Sequence, residues 1–297
     1  MANELNLDVA GAVSDLEVAV NELQLRLKFY KTLFRGKGLD FDGYRTYTQE
    51  DDAIYIDWKA SKRANKLLTK QYIEEKDRKI VFVVDLSGNM LCGSTDKLKC
   101  EYAAEVVLAL SHLIWTSGDK IGLLIHNNHV IDYVPPSRGK RQFDYFIDIL
   151  SNGGNYGGKQ DINSALDFLC NYVSSAVKAV FIVSDFLTMK KDSYEMLKTI
   201  GGKFETVAIM VKDPVDISLP DDSGEVLIED PSTGQKLLVN PKVARMKYEA
   251  YARQQENAVR EMFKETEIDL LSLSTNDSFV NSLAEFLKER IRKRVFA

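Results

Sequence analysis

Three oxygen-bearing side chains set close together are the first residues in this chain that could do chemistry. Asp85, Ser87 and Asn89 alternate along Asp85-Leu-Ser-Gly-Asn89, so the three can lean the same way from one turn. Such a set suits a hard cation such as Mg2+, which takes oxygen ligands and keeps several waters. The turn follows Ile80-Val-Phe-Val-Val84, a short apolar run without alternation. A run of that kind reads as a strand buried on both faces of a sheet. Polar groups at its carboxyl end stand where open α/β sheets bind ligands.

Other residues invite chemistry less persuasively. Asp51, Asp52 and Asp57 form a carboxylate cluster, but Arg45, Lys59 and Arg63 lie close by in sequence, and an ion-pair network is the expected arrangement. The same carboxylates would serve a two-metal hydrolase only within about 4 Å of a partner metal site. Gly153-Gly-Asn-Tyr-Gly-Gly158-Lys159 imitates a phosphate-binding loop up to Gln160, where a Ser or Thr is required, and a helix rather than a strand precedes it. His126 and His129 flank Asn127-Asn128 and read as a hairpin tip rather than as metal ligands. Ser87 lacks the glycines of a nucleophile elbow. No nucleophile, base and oxyanion hole assemble from this pattern.

The elements that must position the Asp85 turn alternate strand and helix. Helices are expected over 97–115, 142–150, 161–173, 192–199, 243–264 and 278–294, with strands over 121–125, 130–134, 179–183, 205–211 and 267–273. This alternation means a mostly parallel sheet with helices on both faces. The strand over 179–183 ends in Ser184-Asp185-Phe186, a second carboxylate at a strand end. Upstream, Val13, Leu16, Val20, Leu23, Leu27, Tyr30 and Phe34 recur in steps of three and four. They make one long amphipathic helix, started near Ser14 and Asp15, stopped at Gly36, and expected to pack on its own domain. Residues 213–241 break the alternation with four prolines, one of them in the turn at Asp230-Pro-Ser-Thr-Gly234, which reads as a β-hairpin insertion. The organisation expected is therefore residues 1–78 as a helix with an extended β segment, and 79–297 as the α/β domain carrying the hairpin. Lys288, Arg290, Arg292, Lys293 and Arg294 read as the solvated, dipole-favoured end of the last helix.

Composition narrows the function classes. A formal charge of −5 over 297 residues argues against nonspecific nucleic-acid binding, which depends on counterion release by a basic surface. No apolar run approaches the roughly 20 residues that span a bilayer. Three cysteines without metal spacing and an N-terminus without a secretory signal point to a reduced, cytoplasmic setting.

Several of these strings, in order, resemble the domain of unknown function 58 (DUF58) family. They are Gly36-Lys-Gly-Leu-Asp-Phe, Tyr44-Arg-Thr-Tyr, Glu50-Asp-Asp-Ala-Ile-Tyr-Ile-Asp-Trp58, Lys70-Gln-Tyr-Ile-Glu-Glu75 and Val84-Asp-Leu-Ser87, then Phe181-Ile-Val-Ser-Asp185-Phe, Asp213-Pro and Leu219-Pro. That family is similar to von Willebrand factor A domains, a Rossmann-like sheet with a metal-ion-dependent adhesion site at its top. The resemblance implies Mg2+ held by Asp85 and Ser87, with Asn89 in place of a second serine, Gln160 at a threonine position and Asp185 as the last ligand. The two replacements make the site degenerate. It also implies a protein partner, a MoxR-type AAA+ ATPase or its client, and a role in assembly, maturation or regulation of other proteins. The expected function is a non-enzymatic interaction module in which a partner carboxylate completes the metal shell. A metal-dependent phosphatase or nuclease using the same carboxylates, and a scaffold with a dead metal site, are the alternatives. The N-terminal β segment and the hairpin are expected to pack together as one satellite lobe.

Overall fold

The computed structural model describes residues 4–22, 39–48, 56–74, 77–220, 224–229 and 234–295. Its centre is a sheet of β3 (Lys79–Asp85), β4 (Lys120–His126), β5 (Val130–Ser137), β6 (Val177–Ser184), β7 (Glu205–Lys212) and β10 (Asp269–Ser274), ordered β10-β7-β6-β3-β4-β5. Neighbours from β10 to β4 are parallel, and β5 closes one edge antiparallel to β4. Pro135 and Pro136 sit on that edge strand, where a missing ladder donor is tolerated. Gly122 of β4 is required there, since a Cβ would stand 2.9 Å from the Pro136 ring.

Strand residues alternate between two apolar layers. Ile80, Phe82 and Val84 face α3 (Lys99–Thr116), α4 (Lys140–Ser151) and α8 (Phe279–Val295), and Phe82 stacks on Phe181 at 5.0 Å between ring centroids. Val81 and Val83 face α5 (Ile162–Asn171), α6 (Ser193–Lys203) and the end of α7 (Pro241–Glu265). The mostly parallel sheet with helices on both faces expected from the alternation is the one observed, and with it the Rossmann-like arrangement that the resemblance implied.

Helix α3 is buried from Lys99 through Ser111 because α1 (Val9–Glu22) covers its outer side with Ala12, Leu16 and Val20. The N-terminal helix thus packs on its own domain and shares the sheet's main core. It begins earlier than Ser14, because the Asp8 carboxylate accepts the Gly11 N–H at 2.9 Å and serves as its cap. The expected stripe beyond residue 22 and the stop at Gly36 lie outside the described residues. Two buried acids of α3 have a local explanation. Glu101 accepts the Asn6 N–H at 2.9 Å and Glu105 accepts the Asp8 N–H at 2.8 Å, so they anchor the chain leading into α1.

The β segment and the insertion form two separate two-stranded sheets that share no ladder hydrogen bonds. One pairs β1 (Leu39–Thr46) with β2 (Leu68–Glu74) around α2 (Trp58–Ala64), and the other pairs β8 (Val226–Glu229) with β9 (Lys236–Val239). The charged end of α8 departs from expectation at Arg290. That guanidinium is buried, with Nε 2.7 Å from Asp269, and so neutralises a carboxylate at the start of β10 instead of meeting water.

Candidate functional site at the carboxyl end of the sheet

The strand order reverses direction at β3, which lies between β4 and the later β6. Ligand sites of open α/β sheets form at such a switch point, outside the carboxyl ends of the strands. Asp85 ends β3 and Asp185 follows β6, so the fold sets the two carboxylates side by side, both essentially buried.

Three loops close over them through backbone bonds. The Gly157 N–H donates to Leu86 O at 2.8 Å, the Gly88 N–H to Gly158 O at 2.9 Å, and the Asp161 N–H to Asn127 O at 2.9 Å. Gly158 takes a φ of 77°, a left-handed value that L side chains adopt only with strain. The Gly157 amide is thus committed to the Asp85 loop, and those of Gly154, Asn155 and Tyr156 to the preceding Asn152–Gly153 turn, which takes these N–H groups away from the phosphate cradle that the glycine pattern imitated. Lys159 points to solvent.

Gln160 enters the site through the nitrogen of its side chain. Nε2 donates to Asp185 Oδ1 at 2.7 Å, contacts Ser184 Oγ at 3.0 Å, and makes a short contact with Asp85 Oδ2. The amide orientation is fixed from its other end. Oε1 accepts the Thr188 N–H at 3.1 Å and the Thr188 hydroxyl at 2.6 Å, and a backbone N–H can only donate. Asp85 receives two further neutral donors, the Ser87 N–H at 2.8 Å and the Ser184 hydroxyl at 2.7 Å.

Asp185 is neutralised from below. Lys99, the first residue of α3, is 1% exposed and places Nζ 2.8 Å from Asp185 Oδ2 and 3.0 Å from Asp216 Oδ2. Burial works to lower the lysine pKa, but the Asp185 and Asp216 carboxylates outweigh it and leave the ammonium more firmly protonated than an ordinary lysine. Asp216 also accepts the Asp213 N–H at 2.9 Å, and Asp213 accepts the Ser94 N–H at 2.8 Å, the Val215 N–H at 2.9 Å and the Thr275 hydroxyl at 3.0 Å. The network thus runs from β3 through β6 to the turn after β7.

Of the five residues expected to hold a cation, Asp85, Asp185 and Gln160 share one cluster. Asn89 approaches it through Nδ2, 3.5 Å from Gln160 Oε1. The Ser87 hydroxyl is buried and has no hydrogen-bond partner among the described residues, the one feature of the set that suits a metal ligand. Against it, an NH2 group that cannot ligate stands between the two carboxylates, and one of them already has a cation. As arranged, these residues do not fit Mg2+.

The sequence reading passed over Lys99, Ser184, Thr188 and Asp216. Lys99 carried a signal: a cation in the first turn of a helix opposes the macrodipole and needs compensation. Asp213-Pro-Val-Asp216 carried another, since the spacing closes a capping box on a single helical turn. Nothing in the sequence distinguishes Ser184 or Thr188.

The remaining candidates disperse. His126 is the buried last residue of β4, not part of the turn, and His129 is exposed. Ser87 Oγ and His126 Nε2 each lack a hydrogen-bond partner among the described residues, so they form no nucleophile–base couple. Burial raises the thiols of Cys92, Cys100 and Cys170, that of Cys100 to about 12, which keeps them from being thiolate nucleophiles. Asp57 is the N-cap of α2, accepting the Lys59 and Ala60 N–H groups at 3.0 Å and the Tyr44 hydroxyl at 3.0 Å. Asp51 and Asp52 lie outside the described residues.

The family model described as "Protein of unknown function DUF58" matches residues 43–258. The uncharacterized protein Rv1480 of Mycobacterium tuberculosis is 26% identical over 264 residues, covering 88% of this chain and 82% of the relative. The uncharacterized protein Mb1516 of Mycobacterium bovis gives the same figures. Among solved structures, the conserved hypothetical protein BatB of Bacteroides thetaiotaomicron is 11% identical, with a TM-score of 0.46 over 72% of this chain and 99% of that one. A von Willebrand factor type A structure from Catenulispora acidiphila is 13% identical, with a TM-score of 0.37 over 49% of this chain and 35% of that one.

Proposed function

This chain belongs to the DUF58 family, and on that footing we propose that it is a non-enzymatic, von Willebrand A-type interaction module whose working face is the carboxyl end of the sheet. The observation that carries this reading is the composition of that face. The carboxylates lie beneath it, engaged by donors, and the groups directly over them are neutral, with the exposed charges of Lys159, Asp161 and Lys190 set around them. Asn89 and Gln160 are half-buried amides, Thr188 is exposed, and Leu91 and Leu187 stand at the rim with 36% and 39% exposure. Apolar rim residues beside satisfied amides and hydroxyls suit a protein surface better than a small charged substrate.

A hydrolase using Asp85 and Asp185 has less support, because both are saturated with hydrogen bonds and Asp57 is occupied as a helix cap. The partner we propose, by the family resemblance, is a MoxR-type AAA+ ATPase or its client, in assembly, maturation or regulation of other proteins. No described helix is long and apolar enough to cross a membrane.

The test is affinity measurement between the purified chain and a MoxR-type ATPase by calorimetry, repeated with Leu187→Glu and Thr188→Arg. Binding is expected, with about a tenfold or greater loss in each variant, as for truncating an interface anchor. Wild-type affinity in both variants would remove this face from the interaction. Absence of binding by the wild type would remove the ATPase as partner.

A further inference from the structure

We propose that Lys99 is a built-in cation which, with the Gln160 amide, replaces the divalent metal of an adhesion-type site, so that this face is assembled whether or not metal is present. The inference does not depend on the identity of the partner.

Two independent placements carry it. The first is Lys99 itself. A long, strongly hydrated side chain is driven from the start of α3 into the interior, against the helix dipole, and is 1% exposed. That cost is offset only because two carboxylates meet it, Asp185 at 2.8 Å and Asp216 at 3.0 Å. Asp185 arrives from β6 and Asp216 from the turn after β7, so one ammonium joins three elements that are far apart in sequence. Joining loops by carboxylate bridging is what a metal ion does in such a place. The second placement is Gln160. Its NH2 lies between Asp85 and Asp185 and bonds to Ser184 as well, with its oxygen turned outward to Thr188. A threonine hydroxyl in that position would offer an oxygen to a cation; the amide offers hydrogens to the carboxylates.

The two side chains divide the work by charge. Lys99 supplies the positive charge to Asp185 and Asp216, and neutral donors from Gln160, Ser184 and the Ser87 N–H satisfy Asp85. Such donors stabilise an ionised carboxylate without a counter-ion in contact. A metal would have to displace the NH2 and compete with a fixed ammonium for Asp185. The face would then answer neither to chelators nor to changes in magnesium concentration, and a partner would read amides and hydroxyls instead of completing a metal shell with its own carboxylate.

The experiment combines calorimetric titration with Mg2+ and Mn2+ and thermal unfolding in EDTA or in millimolar Mg2+. It is run on the full chain, on Lys99→Met and on the double variant Lys99→Met/Gln160→Thr. The wild type should show no saturable heat and the same Tm in both buffers. Lys99→Met should unfold roughly 10 °C lower, as expected when two buried carboxylates lose their cation. The double variant, left with Asp85, Ser87 and Asp185 facing a vacant position, should gain saturable Mg2+ binding and a Tm that rises with Mg2+. Saturable millimolar binding by the wild type, or a wild-type Tm that falls in EDTA, would overturn the proposal, and this arm requires no variant to fold. A Lys99→Met protein with the wild-type Tm would overturn the role of the ammonium. A folded double variant that binds no Mg2+ would overturn the claim that these two side chains exclude metal. Each outcome is independent of whether the chain binds an ATPase.

Discussion

The cluster at the head of β3 and β6 and the small lobe of β1, α2 and β2 are both rich in charge, and they handle it in opposite ways. In the cluster, Lys99, Asp85, Asp185 and Asp213 are all within 1% of complete burial, and every carboxylate has several donors. In the lobe, Asp57 pairs with Lys70 across 3.7 Å of partly exposed surface, Lys59, Lys62, Arg63 and Lys66 are exposed, and Trp58 is 67% exposed. Of the acids in the network expected with Arg45, Lys59 and Arg63, Asp57 caps α2 and pairs with Lys70, and Asp51 and Asp52 lie outside the described residues. Charge taken out of water must be matched group by group, because an unpaired buried ion costs several kcal/mol, whereas exposed charge is screened and needs no fixed partner. Perturbing the first region should therefore unfold the protein. Perturbing the second should leave the fold and change only what the surface can touch.

The comparison is tested most severely at Lys99. Lys99→Met should cost about 3–5 kcal/mol in denaturant unfolding, the usual result of stranding a buried partner; a loss under about 1 kcal/mol would mean that the cluster is no better paired than a surface. Leu16→Ala, in the helix that covers α3, should cost about 2–4 kcal/mol by the same measurement. That value would place α1 within the cooperative core and not among the appendages. Next comes the acid limb of stability. Burial alone would raise the Asp213 pKa, but hydrogen bonds from Ser94, Val215 and Thr275 outweigh it and hold the carboxyl below its ordinary value. Stability from a depressed carboxylate is present above its unfolded value and is lost as pH falls through the lower folded value. Wild type should therefore lose more stability below about pH 4 than Asp213→Asn does. Parallel pH profiles for the two proteins would remove Asp213 as the source. In the lobe, Asp57→Ala should lower Tm by less than any change above, since it removes a cap from a solvent-facing helix. Trp58→Ala should change stability by no more than about 0.5 kcal/mol. A large fall in either would show that the lobe is packed more like the cluster than its exposure indicates.

Much of this architecture could be read before the structure. The unbroken Ile80–Val84 run marked a strand buried on both faces, and the strand–helix alternation implied a mostly parallel sheet with Asp85 and Asp185 at strand ends; that these strands are neighbours came from the structure. Helix α3 was legible as a helix over 97–115, though not that α1 would cover it. The site was legible in membership more than in role. Asp85, Ser87, Asn89, Gln160 and Asp185 do converge on one end of the sheet. Gln160 nonetheless turns its nitrogen inward, because Thr188 holds its oxygen, and that bond joins residues 28 apart. His126 was misplaced for a related reason: two asparagines mark a turn, but where the strand before it stops depends on pairing with Val130.

The sequence by itself determined the period of the main strands and helices, the placement of acids at strand ends and the family to which the chain belongs. These are local properties, carried by side-chain pattern and by turn chemistry within a few residues. Only the tertiary structure decided which charge meets which. Lys99 lies 86 residues from Asp185 and 117 from Asp216, and no local rule connects them. That the Lys99 ammonium meets both Asp185 and Asp216 follows from how three distant loops close. Burial strengthens that ion pair and makes any unmatched alternative costly, and burial belongs to the folded molecule as a whole.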